Sequence, residues 1–148
     1  MADGLDTRQL AQLARDLETI AQDYPDRAKK HLQTEGNKVK KRLYAETKAS
    51  TKKHTGNLLK GIRRGGVKKR DGDMEVTVTS KAPHAHLIEE GHEQYAPVPG
   101  KGRKYQRKTG KRVAGRFPAE HTVEAMGPEL EQDASKLVDE VLRRGGIT

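Results

Sequence analysis

Between residues 7 and 24, apolar side chains recur at Leu10, Leu13, Leu17, Ile20 and Tyr24, with spacings of 3, 4, 3 and 4. That rhythm predicts a helix with one apolar stripe. Asp6 is placed to cap it, with Gln9 at the capping-box position. Pro25 interrupts the pattern, and proline suits a first helical turn, so a second helix is expected to start there. Ala28, Leu32, Val39 and Leu43 carry a sparser stripe to about Ala49. Gly36 weakens its middle by roughly 1 kcal/mol relative to alanine.

Thr55 to Arg64 reads as a short helix, capped by Thr55, with Leu58, Leu59 and Ile62 on one face. A hairpin follows, because Asp71-Gly72 is a two-residue turn signal. With that turn, Val67 faces Val76 and Lys68 faces Glu75. Met74, Val76 and Val78 alternate with Glu75, Thr77 and Thr79, the rhythm of a half-buried strand. Residues 97–116 hold four glycines and eight basic residues without one acid, and are expected to form a long, mobile basic loop. From Ala119 to about Arg144 the pattern is helical again, with Val123, Met126, Leu130, Leu137 and Val141 on one stripe. Gly127-Pro128 is expected to kink or restart this helix, and Gly145-Gly146 to end it. The fold class is α+β: a long N-terminal helical segment, a small antiparallel sheet, the basic loop and a C-terminal helix.

At 148 residues the chain is expected to form a single domain, residues 1–148. Leu, Ile, Val and Phe number 26, about 18% of the chain, below the rough 20% level at which a core alone sustains folding. A folded chain this poor in core completes its burial against copies of itself or a partner. The net charge of +9 lies in blocks: −3 over residues 1–25, +13 over 26–70, −5 over 71–99, +8 over 100–118 and −4 over 119–148. Such alternation is the mark of solvated faces, and it also suits surfaces that meet complementary surfaces. With no cysteine, disulfides and thiolate zinc sites are excluded. The N-terminus lacks a signal-peptide pattern, and no stretch approaches a membrane span, so no membrane partner is expected.

Chemistry concentrates in Ala82 to His92, where His84, His86 and His92 accompany Glu89 and Glu90. His84, His86, Glu89 and His92 are all suitable metal ligands. The spacing works against them. A strand aligns His84 with His86, a helix aligns Glu89 with His92, and no regular element aims all four inward. No metal or other cofactor is expected. Adjacent Glu89 and Glu90 point apart on either element, and no nucleophile is signalled, so no catalytic residue and no enzyme activity are expected. His31, His54 and His121 stand alone and read as surface residues, and Tyr24 and Tyr44 as packing on helix stripes. In the basic loop Lys101, Arg103, Lys104, Arg107, Lys108, Lys111 and Arg112 could neutralise phosphates or meet a partner, and Tyr105 could stack on a base. No base-reading motif is present, so the alternative function these residues support is a sequence-independent DNA-binding accessory protein.

Three segments, in order, resemble the tail-component (tail-completion) family of long-tailed phage neck proteins. They are Thr55-Gly56-Asn57-Leu58 through Ile62; Pro83 through His92, with Glu89 and Gly91; and Phe117-Pro118 followed by Ala125. The resemblance spans roughly residues 25–142. It implies that Thr55, Gly56, Leu58, Ile62, Glu89, Gly91, Phe117 and Pro118 organise architecture, with Glu89 and Gly91 at the corner where the chain leaves the sheet for the basic loop. It further implies a structural virion protein of the head–tail connector, or neck. Such a protein is assembled in the host cytoplasm. It forms a homo-oligomeric ring, a hexamer or dodecamer, that joins the head-closure or portal complex to the tail tube around the DNA channel. The implied partners are other copies, head-closure or adaptor proteins, the tail tube or terminator protein, and non-specific contacts with genomic DNA.

Overall fold

The computed structural model describes residues 7–51, 56–102 and 104–147. It is α+β, with long helices at both ends and three two-stranded antiparallel ladders between them. Helix α1 runs unbroken from Thr7 to Ser50, so the expected pair of helices is one, with Pro25 inside it. The expected cap Asp6 lies outside the described residues. A proline in a helix removes one backbone hydrogen bond. Pro25 is exposed, so water can take the carbonyl it frees. The C-terminal helix α4, Pro118–Arg144, splints the position from both sides: Arg27 pairs with Glu140 at 3.1 Å, and Gly145 lies against Ile20. Helix α4 likewise continues unbroken through Gly127-Pro128, so the helix does not restart there. Here α1 is the splint, since Lys38 reaches Glu129 at 3.5 Å and Asp133 at 2.6 Å.

Helix α2, Asn57–Lys60, is shorter than its pattern predicts. Gly61 ends it, donating its N–H to Asn57 O and Leu58 O, and a Cβ on Gly61 would come within 2.8 Å of Ala82 N. Ile62–Arg64 is strand β1, not the last turn of a helix. Leu58, Leu59 and Ile62 fit a helical face, but the partner strand offered across the chain decides the outcome. That partner is β4, Val78–Ser80, with Arg63 opposite Thr79. Strands β2, Lys68–Arg70, and β3, Asp73–Glu75, pair in the expected register, Lys68 opposite Glu75. Asp71 and Gly72 turn between them at φ 51° and 94°, as a two-residue hairpin turn requires. The two ladders are halves of one irregular hairpin, one residue out of step. Gly65-Gly66 absorbs the difference, with Gly65 N donating to Thr77 O at 2.8 Å.

Met74, Val76 and Val78 are half-buried and Glu75, Thr77 and Thr79 exposed, as their alternation predicts. The inner face packs on α1, where Leu43, Leu59 and Ile62 form a buried cluster extended by Val78. Gly36, read from sequence as a weak point, is where the hairpin rests. A Cβ there would lie 2.8 Å from Arg64 Cδ and 3.1 Å from Val76 Cγ2. Ala28 on α1 and Met126 and Val141 on α4 are buried apolar side chains. Val123, expected on the same stripe, is 70% exposed.

After helix α3, Ala85–Glu90, half of the expected basic loop is part of a β-ribbon. Strand β5, Gly91–Pro97, pairs with β6, Gln106–Ala114, over Gly91↔Ala114 to Pro97↔Gln106. Between the strands, Val98 N donates to Tyr105 O at 3.0 Å. All nine residues of β6 are exposed. Neither face being buried, no apolar alternation marks the strand, and the run of cations and glycines resembles a loop.

Candidate functional site

Four short segments converge where α3, β5, β6 and α4 meet. Gly91 follows α3 at φ 80°, ψ 178°, a conformation reserved for glycine. A Cβ there would strike the carbonyl of Val113. One on Gly115 would strike the carbonyl of Glu89. The two glycines let the backbones touch, and Arg116 N donates to Ile88 O at 2.8 Å. Phe117 sits at the N-cap position of α4 at φ 47°, with a side chain that cannot accept a hydrogen bond. The carboxylate of Glu89 stands in for it, accepting from Ala119 N at 3.2 Å and Glu120 N at 3.3 Å. A carboxylate at a helix N-terminus satisfies orphan donors and meets the positive end of the dipole. Pro118, buried, begins the helix at the position proline favours.

Glu89 and Gly91 therefore lie at the turn from a short helix into a strand. That corrects the expected corner between sheet and loop. The segments of sequence resemblance are neighbours in space. Lys81 N donates to Gly61 O at 2.9 Å, joining the α2–β1 turn to the start of the histidine-rich segment. The guanidinium of Arg116 donates to Ser50 O, tying the corner to the end of α1. Thr55 lies outside the described residues; Gly56 takes the N-cap position of α2 at φ 76°. Leu58 is half-buried and Ile62 buried. Sequence reading passed over Gly115 and Arg116, whose roles depend on contacts that no local pattern signals.

His84 stands at the N-cap position of α3, while His86 on α3 and His92 on β5 are exposed. Among the described residues no group of three or more histidine or carboxylate side chains could hold a metal ion. No described helix is long and apolar enough to cross a membrane.

The β5–β6 ribbon carries Arg107, Lys108, Lys111 and Arg112 on β6 and Lys101 and Lys104 at its tip, all exposed; Arg103 lies outside the described residues. Lys108 meets Glu93 across the strands at 2.6 Å. Their hydrogen bond holds the Glu93 carboxyl below its usual range and pushes the Lys108 ammonium up. Arg112 donates to Glu90 O at 3.3 Å. Tyr95 and Tyr105 are 50% and 61% exposed.

Between α1 and α4, Lys38 is gripped by Glu35 at 3.0 Å and Asp133 at 2.6 Å. The Asp133 hydrogen bond, then that of Glu35, raise the Lys38 ammonium well above its ordinary value. Asp133, held by Lys38 and then Lys136, is lowered from 3.8 to about 2.

At its N-terminal end α1 runs beyond α4, which stops beside Ile20 and Asp16. From there toward the start of α1 the apolar stripe is exposed: Leu10, Leu13 and Leu17 are 52%, 43% and 52% exposed. Tyr24, Val138 and Leu142 are also exposed, and Tyr24 and Val138 line one groove between the helices.

Neither the curated proteins nor the solved structures compared with the chain contain a match. A protein-family profile does match, over residues 11–91, from the uncovered stripe of α1 to the Gly91 corner. That is more than half of the 148 residues. The chain belongs to the bacteriophage HK97-gp10-like family of tail components.

Proposed function

We propose that this tail component is a structural virion protein of the head–tail connector. It closes a homo-oligomeric ring that joins the head-closure or portal complex to the tail tube around the DNA channel. It carries out no catalysis. The observation that supports this reading best is the uncovered stripe of α1. Three leucines at heptad spacing, each more than two-fifths exposed, cost free energy in water that burial against another chain recovers. Ring closure sets one surface of a copy against a different surface of the next. The −3 block at residues 1–25 and the +13 block at 26–70 give adjacent copies complementary faces.

Sedimentation of the purified chain is expected to show a discrete multimer. Leu13→Asp with Leu17→Asp is expected to reduce it to monomer with the helical signal kept. A wild-type chain that stays monomeric up to the highest soluble concentration, with the double variant sedimenting identically, would count against the ring.

A second reading, a sequence-independent DNA-binding accessory protein, is favoured by the exposed basic ribbon. On that reading the monomer binds DNA, and neutralising Lys104, Arg107, Lys111 and Arg112 abolishes binding.

A further inference from the structure

The outer face of the irregular hairpin is a second cationic surface, built differently from the ribbon. Side chains alternate across the two faces of a ladder. Ile62 and Val78 point to α1, and Arg64 is held there by donating to Asn37 Oδ1 at 2.8 Å and Gly65 O at 2.9 Å. Arg63, Thr77, Thr79 and Lys81 are exposed on the opposite face.

What lies opposite each cation differs along the hairpin. Toward the turn, Lys68 faces Glu75 and Arg70 faces Asp73. Toward the base, Arg63 faces Thr79, and among the described residues no acid lines the groove that runs past it. That groove has a volume of about 320 Å³, and Arg64, Lys68 and Lys81 also line it. Its floor at Gly65-Gly66 is open: a Cβ on Gly66 would meet nothing within 4 Å, and one on Gly65 only Thr77 O at 3.4 Å.

We propose that this groove binds the phosphodiester backbone of DNA, with Arg63 and Lys81 on phosphate oxygens and the Thr77 and Thr79 hydroxyls donating beside them. A guanidinium forks onto two phosphate oxygens, and hydroxyls add short directional bonds. Bare glycine backbone allows the strand to approach closely. Among the described residues the groove has no apolar or aromatic lining side chain. A docking site for protein is centred on such an anchor, so nucleic acid is favoured over an acidic protein surface. Nothing here reads bases, so binding is independent of sequence. The site does not depend on ring closure.

The test is titration of a mixed-sequence DNA duplex, followed by fluorescence anisotropy, from 50 to 200 mM salt. Each phosphate contact contributes about 0.9 to the slope of log affinity against log salt. Arg63→Ala with Lys81→Ala is expected to make that slope shallower by about two. Thr79→Val, which changes no charge, is expected to weaken binding several-fold. Lys29→Ala with Lys30→Ala removes the same charge from an exposed stretch of α1 and is expected to leave most of the slope. If the hairpin double variant does not fold, Lys81→Gln alone is read for a decrease of about one. An unchanged slope, an equal loss in the α1 control, no effect of Thr79→Val, or preference for poly-glutamate over DNA would each overturn the proposal.

Discussion

Removing the Glu89 carboxylate uncouples the corner from α4. The α4 N-cap position holds Phe117, in a left-handed conformation and without an acceptor. Its second and third helical residues, Ala119 and Glu120, give their N–H groups to Glu89 instead, at 3.2 and 3.3 Å. Loss of a capping side chain costs about 0.5–2 kcal/mol. Hydrogen bonds to a charged group contribute about 1.5–3 kcal/mol when well formed. Contacts at the long end of the hydrogen-bond range fall below that, so Glu89→Ala is expected to cost about 1–2 kcal/mol. At about 2–4 °C per kcal/mol for a chain of this size, the melting temperature is expected to fall by roughly 2–8 °C. Glu89→Gln keeps one acceptor oxygen and loses the charge, so it should lose about half as much, while Glu89→Asp is too short and should resemble alanine. Urea unfolding of the three variants, compared at constant m-value, measures each loss. If Glu89→Ala lies within about 0.3 kcal/mol of wild type, the carboxylate does not cap α4.

Three further outcomes are expected. The Asp133 carboxyl is lowered from 3.8 to about 2 in the folded state, so its pairing stabilises fully above the unfolded value and is lost as pH falls from about 4 toward 2. Melting temperatures measured down that window should drop, and Asp133→Asn should flatten the drop. Lys38 is raised, so its contribution is complete below 10.5 and declines only as pH climbs beyond it; the same melts at alkaline pH, with Lys38→Met as comparison, check this. Gly91→Ala forces a Cβ into the Val113 carbonyl at a backbone angle closed to alanine, and should cost more than about 2 kcal/mol in urea unfolding. Gly66→Ala, with open space around it, should stay within about 0.5 kcal/mol.

The sequence revealed what depends on neighbours close along the chain. The stripes of α1 and α4, the Asp71-Gly72 turn and the register that puts Lys68 opposite Glu75 follow from local spacing and turn chemistry. The misreadings occur where a distant segment decides. Pro25 and Pro128 stay helical because each lies along the opposite helix. Ile62–Arg64 becomes strand because Val78–Ser80 is there to pair with it. No residue of the ribbon strand Gln106–Ala114 is buried, so it lacks the alternation by which a strand is recognised. At the corner, Glu89 and Gly91 were singled out by resemblance, but the carboxylate's partners lie 30 and 31 residues further on, and spacing carries no sign of them. The leucine stripe was legible as a pattern, though not as a surface left bare by the end of α4.

On the proposed function, copies of this chain cover that bare stripe when they assemble at the head–tail junction. Electron cryomicroscopy of the neck of the assembled particle tests it directly. A closed ring is expected around the DNA channel, with Leu10, Leu13 and Leu17 of each copy buried against the next. A particle whose neck lacks the chain, or holds it with those leucines facing solvent, would contradict the claim.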